Sequence, residues 1–154
     1  MAELTIAEFI SARLDAEEQQ ARSVPGPRWK RGAILFDSGN VCEEYIAVDE
    51  PNRREVVLSD VDGMVIPFVV TWDPARVLAE VEAKRRILAR HSAAPGGEAL
   101  AMPPYCAAHA YRHRDGMVTY PVQLDDCPEL RDLAAIWGGH AEYRAEWAPV
   151  ARRG

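Results

Sequence analysis

Four side chains able to ligate a metal, His91, Cys106, His109 and Cys127, follow one another with the spacing H-x14-C-x2-H-x17-C. No other feature constrains the fold so strongly. Zinc takes four nitrogen and sulfur donors in a tetrahedron, and a Cys-x-x-His pair lets a single turn present two of them. The set flanks a loop between two segments that read as helices. If the four converge, they staple that region together, and His91 joins the long helix to the C-terminal one through the ion. Four protein ligands would close the site, which makes it structural rather than catalytic. The competing reading is that Cys106 and Cys127 are small buried residues and the histidines are surface groups.

Helices are the clearest local elements. Thr5-Ile6-Ala7-Glu8 forms a capping box, with Leu4 and Phe9 at the positions of a hydrophobic staple. Ile6, Phe9, Ile10 and Leu14 make one apolar stripe at helical spacing, while Glu17, Glu18, Gln19 and Gln20 read as exposed. Pro25-Gly26-Pro27 ends this N-terminal helix, residues 1–24. Asp73-Pro74 reads as an N-cap and first helical residue. The long helix that follows, 73–91, directs Val77, Leu78, Val81 and Leu88 to a core. Glu80 with Lys84 and Glu82 with Arg86 form pairs four apart on it. A C-terminal helical section, 128–148, carries Leu130, Leu133, Ala134 and Trp137. Gly138-Gly139 then breaks it, before a last helix over 141–147 with Tyr143 and Trp147 one turn apart.

Residues 28–72 read as a small antiparallel sheet of about three strands. Runs at 28–36, 44–48 and 54–58 are rich in Val, Ile, Tyr and Phe, with turn residues at 37–40 and 49–52. Residues 61–72 fit a fourth strand or a short helix with Pro67 in its first turn. Residues 92–127 form a loop holding the ligands. The expected architecture is a single α+β domain over 1–154, of ordinary domain size.

Composition narrows the function classes. Apolar residues make up 48% of the 154 and charged residues 27%, which is globular. A net charge of −6 disfavours phosphate backbones, so nucleic acid is an unfavourable partner. Basic clusters at 28–31, 84–90 and 152–153 are short and read as solvated faces. No apolar run is long enough to cross a bilayer, and the start of the chain does not read as a signal peptide. Three cysteines give no disulfide framework, so a reducing cytoplasm is the expected setting.

Other constellations carry less. His113 and His140 are substitutes for His91 or His109 as ligands, and Cys42 reads as a spectator. A Cys106 nucleophile activated by His109 or His113 lacks an identifiable oxyanion donor or orienting carboxylate. Ser59, Asp60 and Asp62 read as a turn, because the remaining ligands of a calcium loop are missing. No P-loop, dinucleotide-binding or zinc-protease signature is present.

The sixteen residues from Asp73 to Leu88, DPARVLAEVEAKRRIL, resemble the signature helix of a small family from actinobacteria and their phages, catalogued only as a domain of unknown function. The Phe9–Leu14 segment, Pro25-Gly26-Pro27, and the series Leu130, Leu133, His140, Tyr143, Arg144 and Trp147 are similar to further parts of its pattern. The resemblance implies a Cys-x-x-Cys ahead of a Pro-Cys, with a histidine closing the long helix. Here Cys106, His109, Cys127 and His91 stand at those positions. His109 replaces a cysteine with another zinc donor, and Asp126 stands where the family has proline. The resemblance brings no established activity.

Two functions are therefore expected to compete. One is a non-enzymatic binding or accessory protein, stabilised by structural zinc, acting on another protein and set in a phage or mobile-element context. Trp137, Tyr143 and Trp147 would be its contact anchors, unless they form a core stripe. The other is a small metal-dependent hydrolase or nuclease-like enzyme with an open zinc position held by three of the four ligands.

Overall fold

The computed structural model describes residues 4–35, 41–52, 55–59, 61–94 and 104–150. In chain order the elements are α1 (Ile6–Ser23), β1 (Trp29–Leu35), β2 (Val41–Val48), β3 (Val56–Ser59), α2 (Ile66–Thr71), α3 (Pro74–Arg90), β4 (Tyr111–Arg112), β5 (Val118–Thr119) and α4 (Pro128–Ala134). This is the expected α+β order: N-terminal helix, three-stranded antiparallel sheet, long helix, C-terminal helical section. The chain divides into two compact units, residues 16–81 and residues 1–15 with 82–154, and α1 and α3 contribute to both. Among the described residues, no helix is long and apolar enough to cross a membrane.

The unit of residues 16–81 is built on the sheet β1-β2-β3. Trp29 pairs with Val48 and Gly32 with Tyr45, while Ile46 pairs with Leu58. The central strand β2 supplies the buried side chains Ile46, Ala47 and Val48. The turn at 49–52 has Asn52 at φ 64°, and the Asp49 amide donates to the Arg28 carbonyl at 2.8 Å. The expected turn at 37–40 lies outside the described residues, as does the side chain of Cys42. Gly26 has φ +64°, and a Cβ there would meet Val48 Cγ1 at 2.5 Å. Only glycine suits both the left-handed backbone and that approach.

Residues 61–72 resolve in favour of a helix. Asp62 Oδ1 accepts the Met64 amide at 2.9 Å and its carbonyl accepts the Val65 amide at 2.8 Å, winding the chain into α2. Pro67 sits in the first turn, where a missing amide costs nothing. Ile66 is buried, whereas Met64 and Phe68 are 89% and 67% exposed. The start of α3 is closely accounted for. Pro74 has no amide to satisfy, Ala75 donates to the Pro27 carbonyl at 2.8 Å, and Arg76 donates to Asp73 Oδ1 at 2.9 Å. Glu82 pairs with Arg86 as expected, and Glu80 is met by Arg76. Val81 is the fully buried member of the predicted stripe; Val77, Leu78 and Leu88 are half-buried.

In the unit of residues 1–15 with 82–154, the capping box forms as read. The Thr5 amide donates to Glu8 Oε2 at 2.7 Å, and the Glu8 amide donates to Thr5 Oγ1 at 3.3 Å. A further free amide, that of Ile6, donates to Asp125 Oδ1 at 3.0 Å. Ile6, Phe9, Ile10 and Leu14 are all buried. Phe9 is the hub: Trp147, His140, Tyr143 and Trp137 stand with ring centroids 5.2, 5.9, 6.0 and 6.4 Å away. Lys84 Nζ lies 5.2 Å from the centroid of the Trp137 ring.

That hub explains how the C-terminal section differs in detail from the sequence expectation. After α4 the chain tightens into a 3-10 turn at Ala135–Trp137, and Gly138 is right-handed (φ −58°) rather than a left-handed cap. In place of a helix over 141–147 there are successive turns, ending in the 3-10 turn Ala145–Trp147. Each ring is placed against Phe9 rather than by helical period. Trp147 is therefore core, and Trp137 and Tyr143 are half-buried against Phe9 rather than exposed anchors.

Phe9→Ala should destabilise the protein by about 3–5 kcal/mol in urea unfolding, the range for deleting a buried aromatic ring. Thr5→Ala should cost about 1 kcal/mol. Glu8 is held below the usual carboxylate range by hydrogen bonds from the Thr5 amide and hydroxyl. Its folded value lies below its unfolded one, so its contribution is complete above about pH 4.3 and fades as pH falls through the folded value. The stability gap between wild type and Glu8→Gln should close over that acidic window.

Candidate metal centre

Three stretches with little regular structure are stitched together by backbone bonds, and each delivers a ligand. Ala94 donates to the Tyr105 carbonyl at 2.7 Å and Ala107 donates to that of Ser92 at 2.9 Å. Cys106 donates to Val122 at 2.9 Å and Leu124 to Pro104 at 2.7 Å. Residues 104–107 thus lie between 92–94 and 122–124. His91 follows the last turn of α3, its amide bonded to Ile87 at 3.2 Å. Cys106 opens a 3-10 turn, Ala107–His109, that sets two side chains on one side as a Cys-x-x-His knuckle. Cys127 stands immediately before α4, with Pro128 at the first helical position.

The ligand atoms of His91, Cys106, His109 and Cys127 all lie within 4.8 Å of one another. Cys106 Sγ is 3.7 Å from Cys127 Sγ and 3.6 Å from His91 Nδ1. Cys127 Sγ is 3.3 Å from His91 Nδ1 and 3.6 Å from His109 Nε2. Donors at the vertices of a zinc tetrahedron would be separated by about 3.8 Å for two sulfurs and about 3.5 Å for sulfur and nitrogen. The four observed edges match those lengths. The two thiols are free and too far apart for a disulfide, whose sulfurs lie about 2.05 Å apart. The group can hold a metal ion.

Residues 3–149 match a family of unknown function, DUF6221. The chain belongs to that family. No curated protein and no solved structure matches it significantly. Membership in DUF6221 therefore brings no activity with it, and the chemistry has to be read from the centre itself.

The alternative ligands go elsewhere. His113 Nε2 is 3.1 Å from Thr119 Oγ1 across the β4–β5 hairpin, and His140 meets Arg13 beside Phe9. Cys106 is buried, which suits a ligand and not a nucleophile that must reach substrate. Asp62 is engaged in the turn before α2. Sequence reasoning missed Glu129, whose Oε2 lies 3.0 Å from His109 Nε2 and 3.4 Å from Cys127 Sγ. Its signal was its place two residues after Cys127, in the first turn of a helix.

Burial pushes the Cys127 thiol up to about 12, and the neighbouring Cys106 and Glu129 push the same way, while the Leu130 amide opposes them. Glu129 is held below the usual carboxylate range, chiefly by its own backbone amide, with Cys127 and His109 adding to the effect. Without a cation the Cys127 thiol is therefore protonated near neutral pH. Binding an ion expels that proton, so affinity must rise with pH. Competition titration with a chromogenic chelator should show affinity increasing at least about tenfold per pH unit around neutrality, the slope of one released proton.

Proposed function

We propose that His91, Cys106, His109 and Cys127 hold one structural zinc ion, and that the protein is a non-enzymatic binding or accessory protein. The observation that carries the reading is the set of four converging nitrogen and sulfur donors, with four of their separations at tetrahedral lengths and two of them fully buried thiols. Soft sulfur with imidazole favours zinc over magnesium or calcium, which take oxygen donors. Among the described residues between α3 and α4, regular structure is limited to two-residue strands and single 3-10 turns. An ion there would supply the cross-link that a longer ladder would otherwise give. Reduced thiols suit a cytoplasmic setting.

Action through contact with another protein is supported by apolar side chains left in water: Met64, Val65, Phe68 and Trp72 are all exposed along and beside α2. They take the place of the C-terminal aromatics as the surface for such contact. The hydrolase alternative needs one donor to give way to water beside a free base, and Glu129 is the group in reach.

Elemental analysis of freshly purified protein should find about one zinc per chain. Cys106→Ser and Cys127→Ser should both lose the ion and unfold well below the wild type. Well-folded wild-type protein without metal would sink the proposal.

A further inference from the structure

The four donors do not share the centre equally. Cys106 and Cys127 are fully buried, while the side chains of His91 and His109 are 12% and 27% exposed. Cys106 Sγ, Cys127 Sγ and His91 Nδ1 form a closed triangle with sides of 3.3, 3.6 and 3.7 Å. The remaining side is contested. His109 Nε2 and Glu129 Oε2 stand 3.0 Å apart. Glu129 Oε2 is also 3.4 Å from Cys127 Sγ and 3.9 Å from His91 Nδ1. Neighbouring donors around one zinc ion are separated by about 3–4 Å, so the carboxylate oxygen is placed as a donor is placed. With its side chain 48% exposed, Glu129 is the most solvent-accessible of the five.

Resting on the metal-binding reading above, we infer that Glu129 is a fifth donor, an exchangeable carboxylate that shares the open side of the centre with His109. The chemistry of the metal-free contacts requires a change of partner. Glu129 Oε2 accepts hydrogen bonds only while Cys127 keeps its thiol proton and His109 keeps a proton on Nε2. When those atoms turn their electron pairs to an ion, neither can donate to the carboxylate, which then faces a sulfur donor at 3.4 Å. It must then turn to solvent or bind the cation, and carboxylate oxygen is an ordinary zinc donor at about 2.0–2.2 Å. Glu129 is within donor spacing of His109, Cys127 and His91, and it lies in the first turn of α4, which Cys127 immediately precedes. The two buried thiols and His91 hold the ion firmly, and the rim pair allows one member to leave without release.

Cobalt(II) added to the purified full chain tests this, because its visible d–d bands are weak in five-coordination and strong in a tetrahedron. Wild type should take one cobalt with weak bands. Glu129→Gln should keep one cobalt, with the bands strengthened. His109→Ala should retain the ion, since the carboxylate remains, and the double variant should lose at least about tenfold further in affinity. An unchanged spectrum in Glu129→Gln, with His109→Ala losing the ion outright, would overturn the inference and leave the metal-binding reading standing. A well-folded wild-type chain that takes no cobalt would overturn both.

Discussion

Two buried thiols 3.7 Å apart, with no bond between them, set the terms for the C-terminal part of the chain. Burying one thiol costs little, since cysteine behaves as a small apolar side chain. Bringing two of them together with two imidazoles is different, because every donor then needs a proton acceptor or a cation. The neighbouring backbone supports the second arrangement. Residues 92–94, 104–107 and 122–124 exchange hydrogen bonds that hold the ligand-bearing segments in fixed register. What the backbone does not supply is regular structure. The strands of this region are two residues long and its turns close one at a time. The side chains at its centre are those that a metal cross-link uses.

The same unit has a second organising point in Phe9. An N-terminal helix whose first amides are met by Thr5 and by the distant Asp125 is fixed in position as well as in length. Its buried stripe then recruits the aromatic residues of the C-terminal section one by one. The two organising points are linked by α4, which begins directly after Cys127 and buries Leu130, Leu133 and Ala134. Cys127 directly precedes α4, and Trp137, whose ring stands against Phe9, closes the 3-10 turn that follows it.

In the unit of residues 16–81 the economy is different. Burial is concentrated on β2, and the turn before β1 is closed by Gly26 against Val48 and by the Trp29 indole donating to the Pro25 carbonyl at 2.9 Å. The exposed side of α2 presents Phe68 near Trp72, with Arg76 stacked on the latter at 4.8 Å. A cation over an exposed ring keeps an apolar group tolerable in water while leaving it available for contact.

Local chemistry determined much of this protein from sequence alone. The Thr5–Glu8 capping box, the Asp73-Pro74 helix start, the stripe at Ile6, Phe9, Ile10 and Leu14, and the order of helices and strands follow from interactions spanning a few residues. The four ligand types were legible for the same reason, as donor chemistry with a recognisable knuckle. Their convergence was not, since it depends on backbone bonds between segments well separated in the chain. The same holds for the choice of helix at Ile66–Thr71, which an Asp62 turn precedes and which periodicity alone left open. It holds for the broken turns around Trp147, which follow the ring of Phe9 and not a helical repeat. Glu129 shows the limit most clearly. An acidic residue in the first turn of a helix is an ordinary stabilising choice, and only the folded chain brings its oxygen within 3.0 Å of His109.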